Sequence, residues 1–144
     1  MKKAILPVVG LLPFLAGGLL NRVMLSVSFN RNLPLFLIGL AVLVLWGLAS
    51  AALQGVTGSA WQTVTLLHIP AAVVLVLLGI QELVLGAYWM NPVGVWTQCF
   101  YLPLMNLGFS LTFWSHTLFP AYCAAFLLMV AVSILGCRPS KKAS

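Results

Sequence analysis

Long apolar runs that are almost free of charge constrain the fold of this chain more than any other feature. Five such segments cover about 4–20, 33–53, 65–88, 95–114 and 118–136. Of all residues, 62% are hydrophobic and 6% are charged, whereas an ordinary soluble domain has about 25% charged residues. A soluble fold of 144 residues has too little interior to bury so much apolar surface. Because one helical crossing of the hydrocarbon layer takes roughly 20 apolar residues, the sequence predicts one all-α domain over residues 1–144, a polytopic membrane helical bundle.

The first apolar segment differs from the other four, which have the length and composition of ordinary transmembrane helices. It is short for a span and contains Pro7, Pro13 and three glycines. A proline inside a helix removes a backbone hydrogen bond and kinks or breaks the helix. We therefore expect four firm transmembrane helices plus an N-terminal segment that is either broken and re-entrant or a fifth span.

The basic residues flank the apolar segments, so the net charge of +6 does not indicate nucleic-acid binding. They are Lys2, Lys3, Arg22, Arg31, Arg138, Lys141 and Lys142. Membrane proteins concentrate lysine and arginine in their cytoplasmic loops. A re-entrant first segment would place all seven on one side, and a spanning first segment would divide them five to two. Both alternatives predict a cell-membrane protein with its C-terminus in the cytoplasm.

Glu82 is the only acidic residue of the chain. A carboxylate within a membrane segment costs at least a few kcal/mol and marks an ion or substrate path by default. At 1.5 Å per residue it lies roughly 9 Å from Tyr88, which we place at the cytoplasmic interface. Two interpretations remain open. Glu82 forms a structural ion pair with Arg22 or Arg31, or it is the counter-ion or proton acceptor for a transported solute.

Small residues recur every seven positions on the third helix, at Ala72, Gly79 and Gly86. At 100° per residue they share one face with His68 and Glu82. Small side chains let a neighbouring helix approach closely in lipid. This face is therefore predicted to pack on protein and to direct His68 and Glu82 into the bundle. His68 lies about 21 Å from Glu82 along the helix axis, and we expect it to form hydrogen bonds near the other interface.

Trp46 and Asn106 complete the set of candidate ligand-site residues. Trp46 lies deep in the second segment and Asn106 near the middle of the fourth. The simpler interpretation is packing for Trp46 and a hydrogen bond to another helix for Asn106, and lining a ligand cavity or contacting a substrate is the alternative. The three cysteines form no Cys-x-x-Cys pair, and neither a disulfide nor a metal site is predicted.

Two classes of function are compatible with this composition. The chain has one glutamate, two histidines and no aspartate. Because few side chains are available for general acid–base catalysis, an enzyme is the least favoured class. The first class is a transporter or channel subunit for a small cationic or neutral solute. The second is a non-catalytic accessory or scaffold subunit of a larger membrane complex. Both predict a lipid-embedded protein that forms homo-oligomers or joins a larger complex, and neither requires a cofactor.

Overall fold

The computed structural model describes residues 2–26 and 33–137, and in these ranges the chain is all-helical, as predicted. The α-helices are α1 (Ile5–Val9), α2 (Leu12–Ser26), α3 (Leu35–Thr57), α4 (Ala60–Gly79), α5 (Pro92–Tyr101), α6 (Met105–Leu111) and α7 (Phe119–Gly136). Short 3-10 turns occupy Lys2–Ala4 and Leu102–Leu104, and a π-helical turn at Ile80–Val84 continues α4.

Four helical stretches are long and apolar enough to cross a membrane. They are Ile5–Ser26, Leu35–Thr57, Ala60–Val84 and Phe119–Gly136. Only 22–39% of the residues in their most apolar windows are buried inside the bundle. The remaining apolar side chains face outward, far beyond what a water-soluble monomer exposes. This surface is compatible with a lipid environment, and four helices of spanning length agree with the predicted number.

The N-terminal segment is one of these four stretches, and it is helical to Ser26 rather than ending near residue 20. It is interrupted between Val9 and Leu12, and Pro7 and Pro13 each lie in the first turn of one of the two resulting helices, α1 and α2. A first-turn N–H has no helical partner to lose, so proline is tolerated there. The two helices meet at Gly10, which packs against the backbone of Leu67 on α4.

The fourth segment is broken as well, and it does not form the single spanning helix expected over 95–114. Helix α5 ends at Tyr101, a 3-10 turn carries Pro103, and α6 ends at Leu111. Proline cannot donate to the α-helical ladder, which explains the change of helix type at this position. The start of α7 then lies beside the end of α4, because Leu118 N donates to Glu82 Oε1 over 2.9 Å. The chain from 85 to 118 therefore leaves and returns at the same end of the bundle.

Contacts between helix ends define two ends of the bundle. The Glu82 end contains Glu82, the start of α7 and the start of α3, where Gly39 lies against Leu107 of α6. The opposite end, here the Ser59 end, contains the α3–α4 turn at Ser59. The N-terminal residues lie at the Ser59 end, where Lys3 Nζ donates to Gln62 Oε1 over 3.3 Å.

Helix α7 runs from the Glu82 end toward the Ser59 end, antiparallel to α4. Near its C-terminus the hydroxyls of Ser133 and Ser50 lie 2.8 Å apart, and both side chains are fully buried. On the α5 side of the core, Tyr101 Oη donates to the backbone oxygen of Ala71 over 2.7 Å. Polar bonds of this kind hold helices together in lipid, where apolar surface alone gives little preference for protein over lipid contacts.

Candidate functional site around Glu82

Glu82 lies on the π-helical turn that continues α4. Leu85 N donates to Ile80 O over 3.0 Å, which is the five-residue spacing of a π-turn. Ala87 N donates to Gln81 O over 3.0 Å, and Gly86 between them has φ +64°, a left-handed conformation that ends the helix. The wider π-turn rotates Glu82 away from the direction that a regular helix of 100° per residue would give it.

Both carboxylate oxygens of Glu82 accept hydrogen bonds from elsewhere in the chain. Oε2 accepts from the hydroxyl of Tyr88, and Oε1 accepts from Leu118 N, which is the N-cap residue of α7. The first N–H groups of a helix have no helical partner and carry a partial positive charge. A carboxylate placed there makes a strong, charge-assisted bond. The half-buried Glu82 carboxylate thus fastens the end of α4 to the start of α7.

Tyr88 keeps its proton in this arrangement. Burial raises the pKa of the Tyr88 phenol well above its usual value, and the hydrogen bond to Glu82 raises it further. The phenol therefore remains a donor at every physiological pH. Its ring lies 6.3 Å from the Tyr122 ring, which lies 5.9 Å from the Tyr101 ring. All three tyrosines of the chain form one cluster between Glu82 and the core.

Gln81 is a further residue of this site, which was not among the candidate site residues predicted from the sequence. Its side chain is fully buried. Oε1 accepts from Trp89 N over 3.0 Å, and Nε2 donates to Thr97 Oγ1 over 3.2 Å. Gln81 thereby holds the chain after α4, and the start of α5, against the π-turn. No periodic signal in the sequence marks it.

His68 and Trp46 are brought together, but far from Glu82. Trp46 Nε1 donates to His68 Nε2 over 3.2 Å, and His68 Nδ1 lies 2.8 Å from Val64 O. Since an indole N–H is only a donor, Nε2 must accept, and Nδ1 carries the proton and donates to Val64. Both rings are buried. The expectation of interfacial hydrogen bonds for His68 is therefore wrong: both ring nitrogens are used inside the core.

The predicted small-residue face of α4 holds only in part. Gly79 is buried, and an added Cβ would meet the ring of Phe119 at 3.0 Å, so α7 does approach α4 closely there. Ala72 is half-buried. Gly86 is exposed and lies past the end of the helix. Its seven-residue spacing from Gly79 does not place it on the same face, because the π-turn and the helix end come between them.

The arginine partners predicted for Glu82 are not found at its carboxylate. Arg22 is exposed and lines a groove with Trp96, and the hydrogen bonds of Glu82 come from Tyr88 and Leu118. Arg31 lies outside the described residues. The predicted arginine role is thus taken by a phenol and a helix N-terminus.

Asn106 lies on α6 and is exposed, and its backbone oxygen accepts from Ser110 Oγ over 2.8 Å. The 3-10 turn at Pro103 changes the helical phase ahead of it. Asn106 consequently does not share a buried face with Cys99 and Pro103, as an unbroken helix would have required.

The chemistry available to this site is limited. Within residues 2–26 and 33–137 there is no group of three or more His, Cys, Asp or Glu side chains able to hold a metal ion. Comparison of the chain with family models, with curated proteins and with solved structures gave no match. The arrangement around Glu82 accepts hydrogen bonds and fixes two helix ends relative to each other.

Proposed function

We propose that this chain is a multi-pass membrane protein with four spans and both termini on the cytoplasmic side. The proposal combines the four apolar helices with the charge distribution. In the sequence Lys2 and Lys3 come before α1, and Arg138, Lys141 and Lys142 come after α7, whereas Arg22 is near the end of α2 and Arg31 comes between α2 and α3. With four crossings the basic residues divide five to two in favour of the Ser59 end, which is therefore cytoplasmic. The Glu82 end then faces outward, opposite to the first expectation.

We further propose that the protein is a non-catalytic accessory or scaffold subunit of a larger membrane complex. The observation that carries this proposal is the use of both Glu82 oxygens inside the chain. These two hydrogen bonds fasten the end of α4 to the start of α7, so Glu82 has a structural task that needs no transported solute. A structural role for Glu82 removes the main reason to assign transport.

The other polar groups of the core support the same function. Ser50, Ser133, His68 and Gln81 are buried and each has its hydrogen-bond partner within the chain. Among the described residues no buried side-chain nitrogen or oxygen lacks a partner. A solute path would need polar groups free to exchange partners. The outward apolar surfaces, by contrast, are available to lipid and to the helices of a partner.

The decisive experiment is mass spectrometry of the protein purified gently from its native membrane at native expression level. We expect a larger membrane protein to co-purify in a fixed stoichiometric ratio. Recovery of the chain alone, or only with copies of itself, would overturn the accessory role.

A transporter or channel subunit is a second candidate, favoured by the irregular helices at the Glu82 end. Non-α backbone at membrane depth is tolerated where protein or a water-filled cavity covers it, and π-turns are frequent at functional sites. Here a π-turn carries Glu82 and a broken helix pair follows it. The test is proton or potassium flux into vesicles containing purified protein. Transport requires flux in the wild type and its loss in Glu82→Gln with the fold retained.

A further inference from the structure

An amphipathic groove lies between α2 and α5. Its volume is about 410 Å³, within the range of roughly 300–1,000 Å³ typical of small-molecule sites. Leu15, Leu19, Phe14 and Trp96 give it an apolar wall, and Asn21 and Arg22 lie at its polar end. Leu15, Leu19 and Trp96 are 67%, 65% and 52% exposed, so the groove opens sideways, toward lipid in a membrane.

Among the described residues, Arg22 makes no ion pair with Glu82, the one acidic side chain. The sequence has seven basic residues and one acidic residue. That residue, Glu82, already binds Tyr88 and the N-terminus of α7. A guanidinium remains charged at any physiological pH. Arg22 is therefore available to pair with an anion from outside the protein.

The position of Arg22 fits the headgroup level of a bilayer. It lies four residues before Ser26, the end of α2, or about 6 Å along the helix axis. Long arginine side chains extend from such positions to the interface while their methylene stems cover apolar surface. From Arg22 the apolar wall runs back to Leu15, about 10 Å deeper along the same helix.

We propose that this groove binds an anionic phospholipid, with its phosphate on Arg22 and Asn21 and one acyl chain against Leu15, Leu19 and Trp96. A planar guanidinium pairs with phosphate through two parallel hydrogen bonds. An acyl chain suits a wall that is apolar along its length. A lipid without a cationic headgroup is favoured, because a headgroup ammonium would compete with Arg22 for the phosphate and would repel this chain of net charge +6.

Native mass spectrometry of the full-length protein in detergent tests this site. Phosphatidylglycerol, phosphatidylcholine and glycerol phosphate are added in separate titrations. We expect phosphatidylglycerol to bind in preference to the other two, and Arg22→Gln to weaken its binding at least about tenfold, because the charge-assisted contact of the guanidinium with the phosphate is lost. Leu15→Trp, which fills the apolar wall and keeps the charge, should also weaken binding.

The matched control is Lys3→Gln, which removes an exposed basic side chain at the opposite end of the bundle. It should bind phosphatidylglycerol as the wild type does. Equal binding by wild type and Arg22→Gln would overturn the proposal, as would equal affinity for phosphatidylcholine. Glycerol phosphate binding as tightly as phosphatidylglycerol would show a free-phosphate site and would equally overturn a lipid site.

Discussion

At the scale of single residues, Glu82 is expected to stabilise the fold through its two hydrogen bonds rather than through an arginine. In Glu82→Gln only one side-chain oxygen remains to accept from Tyr88 and Leu118 N, and the charge at the α7 N-terminus is lost. We expect a loss of about 1–3 kcal/mol in the free energy of unfolding, measured by thermal or denaturant unfolding in detergent. Arg22→Gln is the control and should change stability by less than about 0.5 kcal/mol. If Arg22→Gln destabilises as much as Glu82→Gln, the arginine pair is the correct account.

Part of this residue-scale result was predictable. A lone carboxylate in an apolar helix must be compensated by a partner, and sequence reasoning gave that requirement correctly. The partner was not predictable, because Leu118 contributes a backbone N–H and lies 36 positions away. Any residue at the start of α7 would supply the same donor. The role of Gln81 was not predictable either. Its partners are the backbone N–H of Trp89 and the hydroxyl of Thr97, and no sequence pattern connects them to Gln81.

At the scale of helices, close packing of α2 on α5 depends on Gly17. A Cβ at Gly17 would overlap the backbone carbonyl of Cys99, which cannot move without moving α5. Gly17→Ala should therefore lower the free energy of unfolding by about 1–3 kcal/mol. Gly55→Ala is the matched control on α3, where an added Cβ meets nothing within 4 Å. It should be neutral or stabilise by up to about 1 kcal/mol through helix propensity. Equal melting of the two variants would contradict this packing.

Proline content predicted the interruption of the first segment but not the break in the fourth segment. Pro13 and Pro103 both occur inside apolar runs, yet Pro13 falls at the second position of α2 and Pro103 within a 3-10 turn. Their effects differ because only the first turn of a helix tolerates the missing N–H. Apolar periodicity located all the helical segments, but helix starts depend on tertiary contacts that the sequence pattern does not contain. Three of the four stretches of spanning length were thus predicted, and the N-terminal stretch Ile5–Ser26 takes the place predicted for 95–114.

At the scale of the whole molecule, the course of 95–114 decides on which face of the membrane its two flanking loops lie. With 95–114 as a span, the loops before and after it would lie on opposite faces of the membrane. With 85–118 leaving and returning at the Glu82 end, both loops lie on one face. The hydrogen bond between Glu82 and Leu118 is possible only in the second arrangement, since about 30 Å of hydrocarbon would otherwise separate its partners. The structural role of Glu82 therefore requires that 85–118 leaves and returns at the same end of the bundle.

Single cysteines in a background free of Cys99, Cys123 and Cys137 report this topology directly. Met90→Cys and His116→Cys place exposed thiols on either side of the α5–α6 pair, and Gln62→Cys places one at the Ser59 end. In sealed cells, a membrane-impermeant maleimide should label positions 90 and 116 from outside, because both belong to the Glu82 end. Position 62 should react only after permeabilisation, because the proposed topology places the Ser59 end in the cytoplasm. Labelling of 90 and 116 from opposite sides would make 95–114 a true span, and would leave the α7 N-terminus out of reach of Glu82.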